Sequence, residues 1–351
     1  MRLYQSKQWN TDLIETVNAY PELNRLSGKR IMITGACGLI CSAIIDLLVF
    51  FNESHQEPVQ IYAAARSEQR IIDRFGDYVS REYFHFVQYD AETDDFALPL
   101  QLDYIIHGAG NATPERIMRY PVETMTANFQ GVYHLLKKAG DSKVKRLLYI
   151  SSSEVYGRKE TASGFCESEY GFIDLLKERN SYSVGKRAAE TLCVSFAKEY
   201  GIETVIVRPG HIYGPTATER DNRVSSAWAY AAAKGETITM KSAGQQVRSY
   251  CHCLDCATAI LYVLLFGESQ TAYNIANRDS KVSIRDMALL YAKAANTEVV
   301  REDATEAEKR AFNPMDNSTL NSERLYALGW TGRFRPEEGF RETIRVLQEI
   351  L

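Results

Sequence analysis

Lys29-Arg30-Ile31-Met32-Ile33-Thr34-Gly35-Ala36-Cys37-Gly38-Leu39-Ile40-Cys41 is the stretch whose reading decides the fold. Its apolar run has a basic start and no alternation, the pattern of a strand buried on both faces of a parallel sheet. A glycine turn follows, and Ser42-Ala43-Ile44-Ile45-Asp46-Leu47-Leu48-Val49 reads as a helix. Strand, glycine turn and helix together form the setting in which backbone amides and a helix N-terminus hold a pyrophosphate. Gly35, Cys37, Gly38, Leu39 and Ile40 are therefore candidate dinucleotide contacts. The third glycine of the usual fingerprint is absent, and Cys41 stands in its place, at the position that governs how closely helix and strand pack. Because a glycine pair occurs in many tight turns, the reading needs support from elsewhere in the chain.

That support begins with the rest of the pattern. Residues 59–65, 83–89, 102–106, 144–150 and 203–207 are further apolar runs, with helical segments such as 122–138 between them. Strands alternating with helices predict an α/β fold: a Rossmann-type, doubly wound parallel sheet covered on both faces, with ligands at the carboxyl ends of its strands. No Asp or Glu closes the second strand to hold an adenosine ribose. Arg66 follows instead, and an arginine can receive a 2'-phosphate, so NAD and NADP both stay open.

Ser181-Tyr182-Ser183-Val184-Gly185-Lys186 is the second informative stretch. Tyr182 and Lys186 are one helical turn apart, so their polar tips share a face. An ammonium beside a phenol favours the phenolate and makes a usable base. Ser152, from Ser151-Ser152-Ser153-Glu154, can orient an alcohol or ketone against that phenol. The trio moves a proton to or from a carbinol while a hydride leaves or arrives. Alone, Tyr-x-x-x-Lys is weak; downstream of a dinucleotide site it becomes specific.

The order of motifs resembles the extended short-chain dehydrogenase/reductase family, in its NAD-dependent epimerase/dehydratase branch acting on nucleotide-diphosphate sugars. The resemblance covers most of the chain. It rests on Thr34-Gly35-x-x-Gly38, His107-Gly108-Ala109-Gly110, Ser151-Ser152-Ser153-Glu154-Val155-Tyr156-Gly157, Tyr182-x-x-x-Lys186 and Arg208-Pro209-Gly210-His211-Ile212-Tyr213-Gly214-Pro215. It implies a tightly bound, recycled NAD or NADP, with Asp90 at the adenine, Gly108, Ala109 and Gly110 beneath the cofactor, and Asn128 inside the core near the site. Ser152, Glu154, Tyr182 and Lys186 are the implied catalytic set. The hexose 4,6-dehydratases carry an Asp-Glu pair after the catalytic hydroxyl; here Ser153 occupies the Asp position and Glu154 alone remains.

Further motifs are similar to those of UDP-glucuronate decarboxylases. Arg179 stands three residues before Tyr182, Asp221-x-Arg223-Val224-x-Ser226 looks like their substrate loop, and Arg248 follows Gly244-Gln245-Gln246-Val247. Guanidinium forks suit diphosphates and carboxylates, so Arg179, Arg223 and Arg248, with Asn111 and His211, are the implied substrate contacts. His211 replaces the asparagine usual after Arg-Pro-x, and Asn111 departs from an Ala-Ala pattern. Decarboxylation of a UDP-uronic acid leads, 4,6-dehydration of a dTDP-glucose or GDP-mannose type follows, and 4-epimerisation comes third. A non-catalytic dinucleotide sensor is the alternative from another class.

The chain has 351 residues, 45% hydrophobic and 25% charged, with a net charge of -4 that argues against nucleic acid as a partner. No apolar run approaches the roughly 20 residues of a membrane span. The first residues are polar, without the apolar core of a signal peptide, and the seven cysteines read as reduced thiols. A cytoplasmic protein is expected. Cys251-x-Cys253-x-x-Cys256 spans a strand pattern and the start of a helix at Cys256, so no metal site is read there. Residues 1–27 form an extension containing a possible helix at 12–19 capped by Thr11. Residues 28–210 form the dinucleotide domain, to which 253–280 return through a helix at 253–265. Residues 211–252 and 281–351 form a smaller, interleaved α+β substrate lobe, the latter stretch as short helices and turns. The helix 183–200 has apolar residues on more than one side, which by resemblance suits a homodimer.

Overall fold

The computed structural model describes residues 3–159, 163–305 and 315–351. Its strands are β1 (Arg30–Thr34), β2 (Gln60–Ala65), β3 (Phe84–Gln88), β4 (Tyr104–His107), β5 (Arg146–Ile150), β6 (Glu203–Pro209), β7 (His211–Tyr213), β8 (Ile238–Met240), β9 (Val247–His252), β10 (Thr271–Ile275), β11 (Lys281–Ser283), β12 (Val299–Arg301) and β13 (Asn317–Ser318). The helices are α1 (Lys7–Ala19), α2 (Leu39–Glu53), α3 (Glu68–Phe75), α4 (Pro114–Arg119), α5 (Pro121–Asp141), α6 (Ser181–Tyr200), α7 (Val224–Ala233), α8 (Cys253–Phe266), α9 (Ile284–Ala295), α10 (Glu323–Tyr326) and α11 (Pro336–Ile350).

Among the described residues the main sheet has seven strands in the order β10-β6-β5-β4-β1-β2-β3, every pair parallel. The expected doubly wound sheet is therefore present. Ile31, Met32 and Ile33 of β1 are wholly buried, because helices cover both faces and leave no side of the strand to solvent. One face packs on α2 and α8, the other on α5 and α6. The chain reverses direction in the sheet at β1, whose neighbours are β2 and β4. That switch point opens a crevice beyond the strand ends.

After β6, β7 pairs with β9 in a second sheet that also holds β11 and β13, while β8 pairs with β12. α7, α9 and α11 share a separate core with these strands, built around Tyr291, Phe340 and Ile344. α8 and β10 lie with the main sheet.

Several local expectations shift. Helix α1 begins at Lys7 rather than Asp12, and Ser6, not Thr11, caps it, its Oγ accepting from the Trp9 N–H at 3.0 Å. The cause is packing: Trp9, Leu13 and Thr16 are buried and extend the inward stripe by a turn. The N-terminal segment is thereby fastened to α2, where the wholly buried Asp46 accepts from Tyr4 at 2.5 Å, Trp9 Nε1 at 3.2 Å and Arg74 at 2.5 Å. Helix α8 takes up the expected 253–265 span and so holds Cys253 as well as Cys256, with His252 capping it and accepting from the Leu254 N–H. The C-terminal stretch holds long helices rather than short ones: α11 runs 15 residues.

Candidate active site

Strand β5 delivers the candidate catalytic residues beyond its carboxyl end. Ser152 opens a short 3-10 turn, its Oγ accepting from the Glu154 N–H at 3.2 Å. On α6, Tyr182 and Lys186 lie on the buried face. Lys186 reaches back to β5, where Nζ donates to the Ile150 carbonyl at 2.7 Å. Its Nζ also stands 4.6 Å from the centre of the Tyr149 ring and 5.7 Å from that of Tyr182. Ser152 lies close enough to the Tyr182 phenol to favour its ionised form. Ser152, Tyr182 and Lys186 are thus brought together by one strand end and one helix.

Their acidities differ from the simple expectation. Burial pushes Tyr182 up to about 12, nearby Glu154 adds to this, and Ser152 opposes it. Burial draws Lys186 down to about 8 against the attraction of Glu190. Desolvation therefore outweighs the lowering of the phenol that Lys186 was expected to cause.

Both oxygens of Glu154 accept hydrogen bonds. Arg179, expected to face substrate, forks onto it with Nη1 to Oε2 and Nη2 to Oε1, both at 3.0 Å. Ser183 donates to Oε2 at 3.1 Å. Burial alone would lower the Arg179 guanidinium; hydrogen bonding to Glu154 outweighs it and the net shift is upward.

Two other candidate substrate residues, Arg223 and Arg248, lie near His211 at the start of β7. Burial pulls its imidazole down to about 4; Arg248 and Arg223 act the same way while Glu154 opposes them, so all three lie within electrostatic reach of one ring. His211 Nδ1 is buried without a hydrogen-bond partner among the described residues. Arg223 forks onto Asp221 through Nε, at 2.9 and 3.0 Å. Arg248 is buried and donates to the backbone carbonyls of Val247, Met315 and Asp316 at 2.9, 3.0 and 3.3 Å. Asn111 is buried, and its Nδ2 has no hydrogen-bond partner among the described residues.

Beside this set runs a cleft over the switch point, lined by Gly35, Cys37, Gly38, Arg66, Asp90 and the run Gly108–Asn111. Leu39 and Ile40 form the first turn of α2, which opens at Gly38 without a side-chain cap, leaving its amides to a ligand. Gly35 has φ +70, and a Cβ there would sit 2.8 Å from the Gly108 carbonyl. Glycine is needed both for the backbone angle and for the approach. A Cβ on Gly108 would meet Cys41 Sγ at 2.4 Å, so the thiol that replaces the third glycine occupies the space Gly108 leaves. Thr34 fixes the adjacent turn: its hydroxyl bonds His107 Nδ1 at 2.7 Å and accepts from the Gly108 and Ala109 N–H groups at 3.2 Å. Asn128 donates to the Thr124 carbonyl at 2.7 Å and keeps a buried, unpartnered Oδ1 beside Gly110. Open glycine cradle, free helix amides and unpartnered polar atoms fit a dinucleotide.

Three contributors were missed from the sequence. Arg70 lines the cleft, and its four-residue spacing from Arg66 was the available signal. Arg208 lies inside a quoted motif and Glu190 stands four residues after Lys186, but neither was given a role. They form a buried fork, Nε to Oε1 at 3.0 Å and Nη2 to Oε2 at 2.6 Å, and Ser151 donates to Glu190 at 2.5 Å. Arg208 also donates to the Tyr156 hydroxyl, the Glu167 carbonyl and the Tyr170 hydroxyl. One cation so ties β6, α6 and the loop after β5 to the residue preceding Ser152. Cys251, Cys253 and Cys256 are buried thiols, Cys253 pushed up to about 12 by burial, and among the described residues no group of three side chains is arranged to hold a metal. Nor is any described helix long and apolar enough to cross a membrane.

Comparison with known proteins bears on the family and the fold. UDP-glucuronic acid decarboxylase 1 of Xenopus tropicalis is 28% identical over 338 residues, covering 95% of this chain and 76% of that protein. UDP-glucuronic acid decarboxylase 6 of Arabidopsis thaliana is 27% identical, covering 89% and 87%. A crystal structure of UDP-glucuronic acid 4-epimerase from Bacillus cereus, in complex with a 4-deoxy-4-fluoro analogue and NAD, superposes with a TM-score of 0.78 at 18% identity, covering 92% of this chain and all of that one. At that identity the superposition speaks for the fold. The family model of the NAD dependent epimerase/dehydratase family matches residues 31–276, which span the glycine cradle, Ser152, Tyr182, Lys186 and the return through α8 and β10, and the chain belongs to that family.

Proposed function

We propose that the protein is a lyase that decarboxylates a UDP-uronic acid, UDP-glucuronate in the first instance, in a redox-neutral cycle on a retained nicotinamide cofactor. The observation that carries the reading is the convergence of Ser152, Tyr182 and Lys186 with the Arg179–Glu154 fork beside the dinucleotide cleft. A bound nicotinamide would supply an acceptor for the C4 hydride that is restored at the end of the cycle, and a positive charge that favours the phenolate. Ser152 orients the C4 hydroxyl, and Tyr182 takes its proton. Lys186, fixed by the Ile150 carbonyl, stabilises negative charge on the phenol oxygen. A 4-ketone makes the C6 carboxylate a β-keto acid, and loss of carbon dioxide leaves an enolate that takes a proton at C5.

Glu154 bears on which reaction follows. A dehydratase of the Asp-Glu type needs a free carboxylate to remove the C5 hydrogen and an acid at position 153 for the leaving hydroxyl. The Ser-Glu pair found here suits a decarboxylase or a GDP-mannose-type dehydratase. Here both Glu154 oxygens accept from Arg179 and one from Ser183, and position 153 is serine. His211, Arg223 and Arg248 supply the remaining polar groups for a diphosphate and a sugar. A relative with UDP-glucose 4,6-dehydratase activity, 26% identical over 324 residues, keeps dehydration as the second reading. Incubation with UDP-glucuronate should release carbon dioxide and yield a UDP-pentose. Absence of carbon dioxide, with a keto product from UDP-, dTDP- or GDP-hexoses, favours dehydration.

The same reading includes a homodimer in the cytoplasm. Met125, Phe129 and Tyr133 recur every four residues along α5 and are about 40% exposed, and Tyr200 at the end of α6 is 62% exposed. A second copy packing α5 and α6 against their equivalents would cover them. Seven free thiols suit a reducing compartment. Light scattering should give twice the chain mass, and Phe129→Asp should halve it.

A further inference from the structure

His211 begins β7, the strand that carries the chain from the main sheet into the second one. Its register partner on β9 is Tyr250, whose ring centre lies 5.6 Å from that of the imidazole. Arg248 is two residues before Tyr250 and so shares that face of β9. Gly210, just before His211, sits so near β9 that a Cβ there would meet the Ser249 carbonyl at 2.9 Å. The backbone under the ring is thus held on β9, while Nδ1 has no hydrogen-bond partner among the described residues.

Glu154 and Arg223 act on His211 and on the Tyr182 phenol alike, so the imidazole and the phenol border one space. Arg248 joins them at His211. Tyr182 serves the C4 oxygen, and the arginines suit the diphosphate on C1. A residue flanked by both faces a ring edge joining C4 to C1, and of the two edges only the one through C5 needs a titratable group in this reaction. The other such groups are committed. Glu154 is held by Arg179 and Ser183, Arg223 by Asp221, and Lys186 by the Ile150 carbonyl.

We propose that His211 is the proton donor to C5 of the sugar. This rests on the decarboxylation reading and adds a step to it. The C5–C6 bond breaks, carbon dioxide leaves with C6, and the bonding pair passes into the enolate of the 4-ketone. An imidazolium N–H then gives its proton to C5, forming the second C5–H bond and restoring the ketone. Water protonates the ring again, so one solvent proton is consumed for each carbon dioxide released. In the empty site burial, Arg248 and Arg223 draw the imidazole down to about 4 against the pull of Glu154. A diphosphate on the arginines would cancel their charge, and a uronate carboxylate adds its own attraction, so substrate equips the ring with its proton. The asparagine usual after Arg-Pro-x has no such proton to give.

A single turnover of cofactor-loaded protein with UDP-glucuronate in deuterium oxide separates the steps. Carbon dioxide leaves before C5 takes its proton, and the absorbance of reduced nicotinamide falls only afterwards. The unaltered chain should place deuterium at one of the two C5 positions, read by NMR of the UDP-pentose. His211→Asn and His211→Gln keep a polar side chain without the proton, and an unchanged melting temperature shows an intact fold. Both should release carbon dioxide within about threefold of the normal rate, yet slow the fall in absorbance at least about a hundredfold and spread deuterium over both positions. A normal fall with deuterium at one position in either variant overturns the assignment, as does deuterium at both positions in the unaltered chain. Equal slowing of carbon dioxide release and of the later fall overturns it too, since His211 then acts in binding or support. Absence of carbon dioxide with the unaltered chain overturns the reaction and the assignment together.

Discussion

Replacing Arg208 by methionine isolates the interaction that holds the loop after β5 in place. Arg208 is 2% exposed and its partner Glu190 is 7% exposed, so water cannot take over from a lost charge. Methionine keeps an unbranched stem but leaves the Glu190 carboxylate with only the Ser151 hydroxyl of the partners described above. Breaking a buried pair from one side costs about 3–5 kcal/mol, against less than about 1 kcal/mol for an exposed pair. At roughly 2 °C per kcal/mol for a chain of this length, the melting temperature should fall by about 6–10 °C in calorimetry. Arg208→Met combined with Glu190→Gln removes both charges and should regain at least half of that loss, since the penalty lies mainly in the stranded carboxylate. A fall below about 2 °C, or a double variant as unstable as the sum of the single ones, would refute the reasoning.

Other consequences follow from single observations. Gly35→Ala introduces a Cβ 2.8 Å from the Gly108 carbonyl at φ +70 and should abolish dinucleotide binding in fluorescence titration. Arg179→Met breaks a pair in which both side chains are more than a third exposed. It should cost under about 1 kcal/mol of stability yet slow turnover about a hundredfold by freeing Glu154, which thermal unfolding and steady-state rates will separate. Burial pushes the Asp12 carboxyl from 3.8 up to about 7. The folded chain therefore holds a proton between those values that the unfolded chain releases. The associated stability is complete below 3.8 and is lost as pH rises through 7. Asp12→Asn lacks that loss, so its melting temperature relative to the unaltered chain should climb between pH 4 and 8.

The sheet was legible because each strand of a parallel sheet is apolar on both faces, and Ile31–Ile33 says so without help from neighbours. The pairing of Tyr182 with Lys186 was legible for a similar reason: it is local to one helix. What escaped was set by tertiary packing. The buried contacts of Trp9 and Leu13 begin α1 a turn early, and nothing in residues 1–11 announces Asp46 as their anchor. Arg179 was read as a substrate ligand because sequence shows a donor but not its nearest acceptor, and here Glu154 lies within reach. The acidity of Tyr182 was misjudged because spacing fixes the distance to Lys186, whereas burial, which dominates the shift, belongs to the assembled fold.

The central claim is that Tyr182 takes the C4 proton of a nucleotide-diphosphate sugar as hydride passes to the nicotinamide. Rapid mixing of cofactor-loaded protein with UDP-glucuronate, followed at the absorbance of reduced nicotinamide together with carbon dioxide release, tests it most directly. The account predicts a transient rise that decays as carbon dioxide appears, with both slowed at least about a thousandfold in Tyr182→Phe. Carbon dioxide released at the normal rate by that variant, or without any nicotinamide transient in the unaltered protein, would contradict it.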